Sequence, residues 1–245
     1  MSKQKAILRV TIAALAVLGA AICAMAQTQG NAVKQNQREQ EAVKESNAAA
    51  KVAPTDDAIY TYDFRQPQFF VRHIQIKHDA AGHGEISFER QGDLEPIVDP
   101  IELSAASLSR IQSLWEALRF LDSDTNYQSE RQYPHLGTMK IGMKRGTKER
   151  EAEFNWTNDQ NAKALADEYR RVSNQAIFIF DMSVSRQNQP LDSPKLLDTL
   201  DSYLARNEIS DPQQLIPLLR ELNTDERLPL IARNHAGRIL KKLEK

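Results

Sequence analysis

Hydrophobic and polar residues alternate with the period of a strand in two separate parts of the chain, and each part is followed by a run with the period of a helix. Over 69–78, Phe70, Ile74 and Ile76 share one face; over 85–90, Ile86 and Phe88 do the same. Asp79-Ala80-Ala81-Gly82-His83-Gly84 between them supplies turn chemistry, so the two runs predict a hairpin. Charge sets its register. Pairing Ile76 with Ile86 puts Ile74 opposite Phe88 on the apolar face. On the polar face it puts Lys77 opposite Glu85 and His73 opposite Glu89. Arg72 opposite Arg90 breaks this agreement and marks the hairpin's end. A short strand over 97–103 is confined to an edge by Pro96 and Pro100. Ser104 then reads as the N-cap of a helix carrying Leu108, Ile111, Leu114, Trp115, Leu118 and Leu121, ending around Asp122.

The second hairpin pairs Met139, Ile141 and Met143 with Ala152, Phe154 and Trp156. Setting Ile141 opposite Phe154 matches the apolar sets and places Lys144 opposite Glu151 around a turn at Gly146-Thr147-Lys148-Glu149. Both tryptophans, Trp115 and Trp156, read as core. Asn158 is the expected cap of a long helix with Leu165, Tyr169, Val172, Ile177 and Phe180 on its apolar side, and Arg170 and Arg171 on the solvated one. Residues 187–193 form a linker. Three C-terminal helices follow, starting at Ser193-Pro194, at Asp211-Pro212 and near Pro229. The predicted fold class is α+β: two antiparallel hairpins each followed by a helix, one sheet covered by helices, then a three-helix segment.

The first 26 residues read differently. Lys3, Lys5 and Arg9 precede an apolar run from Val10 to Ala26 that ends in Ala24-Met25-Ala26, the pattern of a cleaved export signal. A retained inner-membrane anchor is the alternative, against which stand the run's length, 17 residues at the lower edge of what spans a bilayer, and its alanine in place of leucine or isoleucine. The expected organisation is a signal at 1–26, a flexible polar spacer at 27–57, an α+β domain at 58–186 and a helical segment at 187–245 packed on it. The spacer has no aromatic residue and too little apolar area to offset its ordering entropy. Export implies a periplasmic or secreted protein, with the membrane met only through an uncleaved signal.

The single cysteine, Cys23, lies inside the signal, so the mature chain is left without disulfide, thiolate-metal or cysteine-nucleophile chemistry. Loss of Lys3, Lys5 and Arg9 takes the net charge from −1 to −4, with acid and base interspersed and no basic stripe for nucleic acid. Runs such as Glu95-Pro96-Ile97, Tyr133-Pro134-His135-Leu136-Gly137 and Glu153-Phe154-Asn155-Trp156-Thr157 resemble uncharacterised exported proteins of environmental bacteria. That resemblance implies export and no particular activity. Residues 215–243, through Leu-Ile-Pro-Leu-Leu and Ile-Ala-Arg-Asn-His-Ala-Gly-Arg-Ile-Leu, resemble one helix pair of a HEAT-type repeat.

Chemistry is sparse. The connection 122–138 is long, and it gathers Tyr127, Arg131, Tyr133 and His135, residue types that anchor binding surfaces. These four are the candidate binding residues. His135 is also the candidate acid or base of a hydrolase-like alternative, which requires a neighbouring carboxylate. His78 and His83 flank the first turn and, with Asp79, form the alternative of a metal site; His73 points to the other face of its strand. His235 falls on the apolar side of the last helix as a satisfied, half-buried ring. No nucleotide, zinc-protease or serine-hydrolase motif is present, and no cofactor is expected. The expected function is a non-enzymatic binding module whose partner is another envelope protein or a cell-surface component.

Overall fold

In a computed structural model the described residues are 57–245; the signal and nearly all of the spacer lie outside them. The described chain is mixed α and β, with one six-stranded antiparallel sheet and five α-helices. The strands are β1 (Ile59–Arg65), β2 (Val71–Asp79), β3 (His83–Arg90), β4 (Ile97–Glu102), β5 (Thr138–Arg145) and β6 (Lys148–Phe154), in the order β4-β3-β2-β1-β5-β6. The unforeseen element is β1. It pairs with β2 on one side and β5 on the other, and so joins the two predicted hairpins into one sheet. Tyr60, Tyr62 and Phe64 sit at alternate positions on its core face; Thr61 and Asp63 take the other face.

The first hairpin has the expected register, with Ile76 opposite Ile86, Ile74 opposite Phe88, Lys77 opposite Glu85 and His73 opposite Glu89. The mismatch of Arg72 and Arg90 is resolved by an irregularity between Val71 and His73. Val71 faces Arg90, and Arg72 pairs with Glu89 at 3.1 Å. The second hairpin is a correction. Ile141 lies opposite Ala152 and Met139 opposite Phe154, with Lys144 facing Glu149, a shift of two residues from the predicted pairing. The cause is the turn. Arg145 pairs with Lys148, leaving a two-residue loop in which Gly146 takes φ +58°, the left-handed conformation that tight hairpins favour. A two-residue slip keeps every side chain on its face, so the apolar pattern alone could not detect it.

Helix α1 (Ala105–Leu118) is capped by Ser104, whose side chain accepts from the Ser107 N–H. It stops earlier than predicted, at Arg119 in the left-handed region, and a 3₁₀ turn over Phe120–Asp122 swings Phe120 into the core. Helix α2 (Gln160–Asn188) starts one residue later than expected. Its cap is Asp159, which accepts from the N–H groups of Asn161 and Ala162, and not Asn158. Helices α3 (Ser193–Ala205), α4 (Ile216–Thr224) and α5 (Leu230–Leu243) complete the chain. Among the described residues no helix is long and apolar enough to cross a membrane.

Two hydrophobic cores share α2. The first lies between the sheet, α1 and the N-terminal part of α2, built from Tyr60, Tyr62, Ile76, Ile86, Phe88, Trp115, Phe154, Leu165 and Tyr169 among others. The second surrounds Phe178 and Met182 near the other end of α2 with Leu197, Leu200, Leu215, Leu219, Leu222, Ala236 and Ile239. At 29 residues, α2 is about 43 Å long, enough to serve both.

Candidate functional site

Three of the four residues predicted to bind, Tyr127, Arg131 and Tyr133, line one hollow of about 680 Å³ at the loop together with Trp156 and Asp159, and His135 is not among its lining residues. Tyr127 is only 3% exposed. Its ring sits near Phe120 and Phe154 with the Arg150 guanidinium 5.4 Å from its centre, so most of it belongs to the core although it still lines the hollow. Arg131 is exposed. Tyr133 packs edge-on against Trp156 at 5.1 Å and against His135 at 6.0 Å. His135 is exposed, and among the described residues no carboxylate forms an ion pair with it. The loop is held mainly through Gln128, whose side chain exchanges hydrogen bonds with Asn155, and through the Ser129 N–H to the Trp156 carbonyl. Trp156 itself is a correction. β6 ends at Phe154, so the strand alternation does not reach it, and it stands 37% exposed.

The histidines and Asp79 do not meet as metal ligands either, and no group of three His, Cys, Asp or Glu among the described residues could hold a metal ion. His78 is buried and fully engaged. Its Nδ1–H donates to the Asp79 carbonyl at 2.7 Å, which leaves Nε2 to accept from the Tyr169 hydroxyl at 2.9 Å. The same hydroxyl accepts from Trp115 Nε1–H at 3.1 Å. Burial holds the His78 pKa below its ordinary value, against the pull of the Asp79 carbonyl, and burial pushes the Tyr169 hydroxyl far above its own. His83 reaches Asp79 only at 3.8 Å on the exposed turn. His73 bridges Asp63 and Glu89, at 3.2 Å each, on the sheet's polar face. His235 is buried beside Asp198 and Asp201.

A larger and more apolar concavity lies apart from the loop's hollow. A groove of about 960 Å³ opens between α2 and one end of the sheet. Its floor is the core face of β1, β2 and β5, with Tyr62, Phe64, Ile74 and Met139. The β1–β2 connection contributes Phe69 and Phe70, Leu136 and Trp156 stand at its rim, and α3 contributes Leu196 and Tyr203. Gly137, at φ +90°, permits this packing, because a Cβ there would lie 2.6 Å from the Phe64 ring.

The sequence of α2 explains why the groove is open. Lys163, Ala166, Asp167, Arg170, Ser173, Asn174, Ile177 and Asp181 recur at three- and four-residue spacing and line it. From Lys163 to Asn174 this stripe is small or polar, with Ile177 and Phe178 following it, whereas the neighbouring stripe of Leu165, Tyr169 and Val172 is apolar and fills the core. A helix can lie close against a sheet only where its side chains fill the space between them. From Lys163 to Asp181 the stripe runs about 27 Å.

The polar groups are unevenly distributed along it. Near the start of α2, Asp167 holds Lys163 at 2.7 Å through one carboxylate oxygen and Arg170 through the other, so two cations share one anion. Toward the other end Asp181 is neutralised by Arg90, whose guanidinium also lies over Phe88 and Phe70. On the floor Tyr62 is 3% exposed and stacks on Tyr169 at 5.1 Å, and its hydroxyl has no hydrogen-bond partner among the described residues. Burial raises its pKa far above the ordinary tyrosine value, partly offset by the positive charge of Arg170, so it stands as a neutral donor. None of this was read from the sequence, although the mixed small and polar stripe on α2 is a signal that could have been noticed.

The sheet edges offer no competing site. β6 is Lys-Glu-Arg-Glu-Ala-Glu-Phe, a run of alternating charge, and β4 carries Pro100, both features that discourage addition of a further strand. Comparison of the chain with models of known protein families and with curated proteins finds no match.

Proposed function

We propose that this is an exported, non-enzymatic binding module whose ligand site is the groove between α2 and the sheet, and that the ligand is an elongated, largely apolar component of the cell envelope. The observation that carries this is the groove's size together with the exposure of Phe69, Phe70, Leu136 and Trp156 around it. Cavities of roughly 300–1,000 Å³ lined by apolar groups with a few polar ones are the usual form of small-molecule sites. Apolar side chains clustered at one mouth also differ from the scattered exposed residues that any surface has. The hydrolase alternative at His135 draws no support from its surroundings, which supply no carboxylate partner.

A neutral solvatochromic dye such as Nile red tests the site. The full chain is expected to bind it saturably with a blue-shifted emission. Ile177→Trp, which fills the groove, is expected to abolish binding, and so is Val71→Trp. Ile231→Ser, at an exposed apolar residue on α5, is expected to leave it intact. Wild-type dye binding by folded Ile177→Trp and Val71→Trp variants would refute the groove as the site.

A further inference from the structure

Of the polar groups facing the groove, Ser173 and Asn174 are satisfied within the protein and Tyr62 is not. Tyr62 is buried against Tyr169, and its hydroxyl donates to nothing among the described residues. The ring is buried but the hydroxyl is not among the buried atoms left without a partner, so it opens into the groove as a free donor. Lys163 and Arg170 line the same groove, and each is at least half exposed although both touch Asp167. Their two positive charges meet one negative charge, which leaves an excess of one at this end of α2. The Arg170 charge is felt by the Tyr62 phenol, so the two groups belong to one electrostatic neighbourhood. Three donors with one unit of uncompensated positive charge match a compact anionic acceptor. The floor beyond them, with Phe64, Ile74 and Met139, has no polar group to offer.

Resting on the groove reading above, we infer that the occupant is a free long-chain carboxylate, its head on Tyr62, Lys163 and Arg170 and its hydrocarbon chain along Phe64, Ile74 and Met139. The position of Tyr62 selects the free acid over a lipid that stays in a bilayer. Its hydroxyl lies on the floor, so the head must enter the groove to reach it. A phosphodiester head anchored at a membrane surface would engage Lys163 and Arg170 and leave Tyr62 unpaired.

Titration calorimetry of the full chain with dodecanoate and with dodecanol at neutral pH separates head from tail. The acid is expected to bind about ten-fold more tightly than the alcohol, in keeping with charge-assisted hydrogen bonds, and the difference is expected to shrink in high salt. The double substitution Lys163→Gln with Arg170→Gln is expected to erase the preference while dodecanol still binds. Tyr62→Phe is expected to weaken dodecanoate several-fold and to leave the melting temperature of the unliganded protein unchanged or raised. A fall of several degrees would show that the hydroxyl serves the fold and would overturn its assignment to the head. Equal affinity for acid and alcohol, with Ile177→Trp abolishing both, overturns the carboxylate head and leaves the groove reading standing. Failure of both to bind or to displace Nile red takes the groove reading down as well. Binding to phosphatidylglycerol vesicles without binding of free dodecanoate assigns the site to a membrane lipid and overturns the inference.

Discussion

The two cores that share α2 are built from different materials. The sheet core is aromatic, with Tyr60, Tyr62, Phe88, Trp115, Phe120, Tyr127, Phe154 and Tyr169 buried in it; the helical core is aliphatic, and Phe178 is its one buried aromatic residue. The fully buried side chains of the helical core are hydrocarbon apart from the Met182 sulfur, and it meets the groove at Phe178, Leu196 and Tyr203. The aromatic core brings hydroxyl and indole groups inside. Some of these satisfy one another, as Tyr169, His78 and Trp115 do, and one, Tyr62, faces an opening instead. Closed packing and an open groove thus follow from residue choice on a single helix, according to whether a stripe of α2 is filled with large apolar or with small and polar side chains.

This contrast can be broken by substitution. Leu197, fully buried in the aliphatic core, is the place for the largest effect: Leu197→Ala is expected to cost about 2–5 kcal/mol through lost burial and the cavity left behind. Because α2 belongs to both cores, scanning calorimetry is expected to show one transition at lower temperature, and two separated transitions would show that the cores do not depend on each other. Tyr169→Phe comes next. It strands His78 Nε2 and Trp115 Nε1, for an expected loss of about 1–3 kcal/mol in denaturant unfolding. Tyr62→Phe removes the same atom from a neighbouring stacked ring without that loss, so equal effects of the two substitutions would erase the distinction between satisfied and open hydroxyls.

The His78 network also predicts a pH dependence. Buried His78 keeps its pKa below 6.5, while in the unfolded chain it takes up a proton near that value. Stability is therefore fully present above pH 6.5 and declines as the pH falls from there to the lowered folded value, by at most about 1.4 kcal/mol per pH unit. A His78→Gln variant is expected to lack this component as the pH falls below 6.5, and an unchanged profile would remove His78 as its source. The smallest effect is expected at the helix start, where Asp159→Ala withdraws the acceptor for two N–H groups at a cost of about 1 kcal/mol, read as a lower melting temperature.

What was legible in the sequence follows from how each feature is encoded. The first hairpin was readable to the residue because apolar pairs on one face and charge pairs on the other agree on one register only. The second was readable in face but not in register, because period-two patterns are blind to a two-residue slip and the tight turn at Gly146 decides it. β1 was passed over, although Tyr60, Tyr62 and Phe64 alternate, because it directly follows the polar spacer and has no turn before it. Tyr127 is drawn toward the core while still lining the loop's hollow, and Trp156, beyond a strand end, is released from the core. The groove itself was not read, although it leaves one trace in the sequence, the small and polar stripe of α2. It is an empty space whose existence depends on how far one stripe of α2 stands from the end of a sheet 20 and more residues away in sequence, and composition records what is present between elements, not what is missing.

The continuity of α2 has a consequence for anyone who would divide this chain. The polar stretch after α2 looks like a seam between a sheet domain and a helical appendage. Yet Leu196 and Tyr203, which lie beyond it, line the groove, and Phe178 and Met182, which lie before it, are enclosed by the appendage. Cutting there would bare two apolar residues on the first fragment and remove part of the site's lining. The last 50 or so residues are therefore not baggage to be trimmed from a minimal fragment, and any gene fusion or shortened version that keeps the site must carry the chain through to α5.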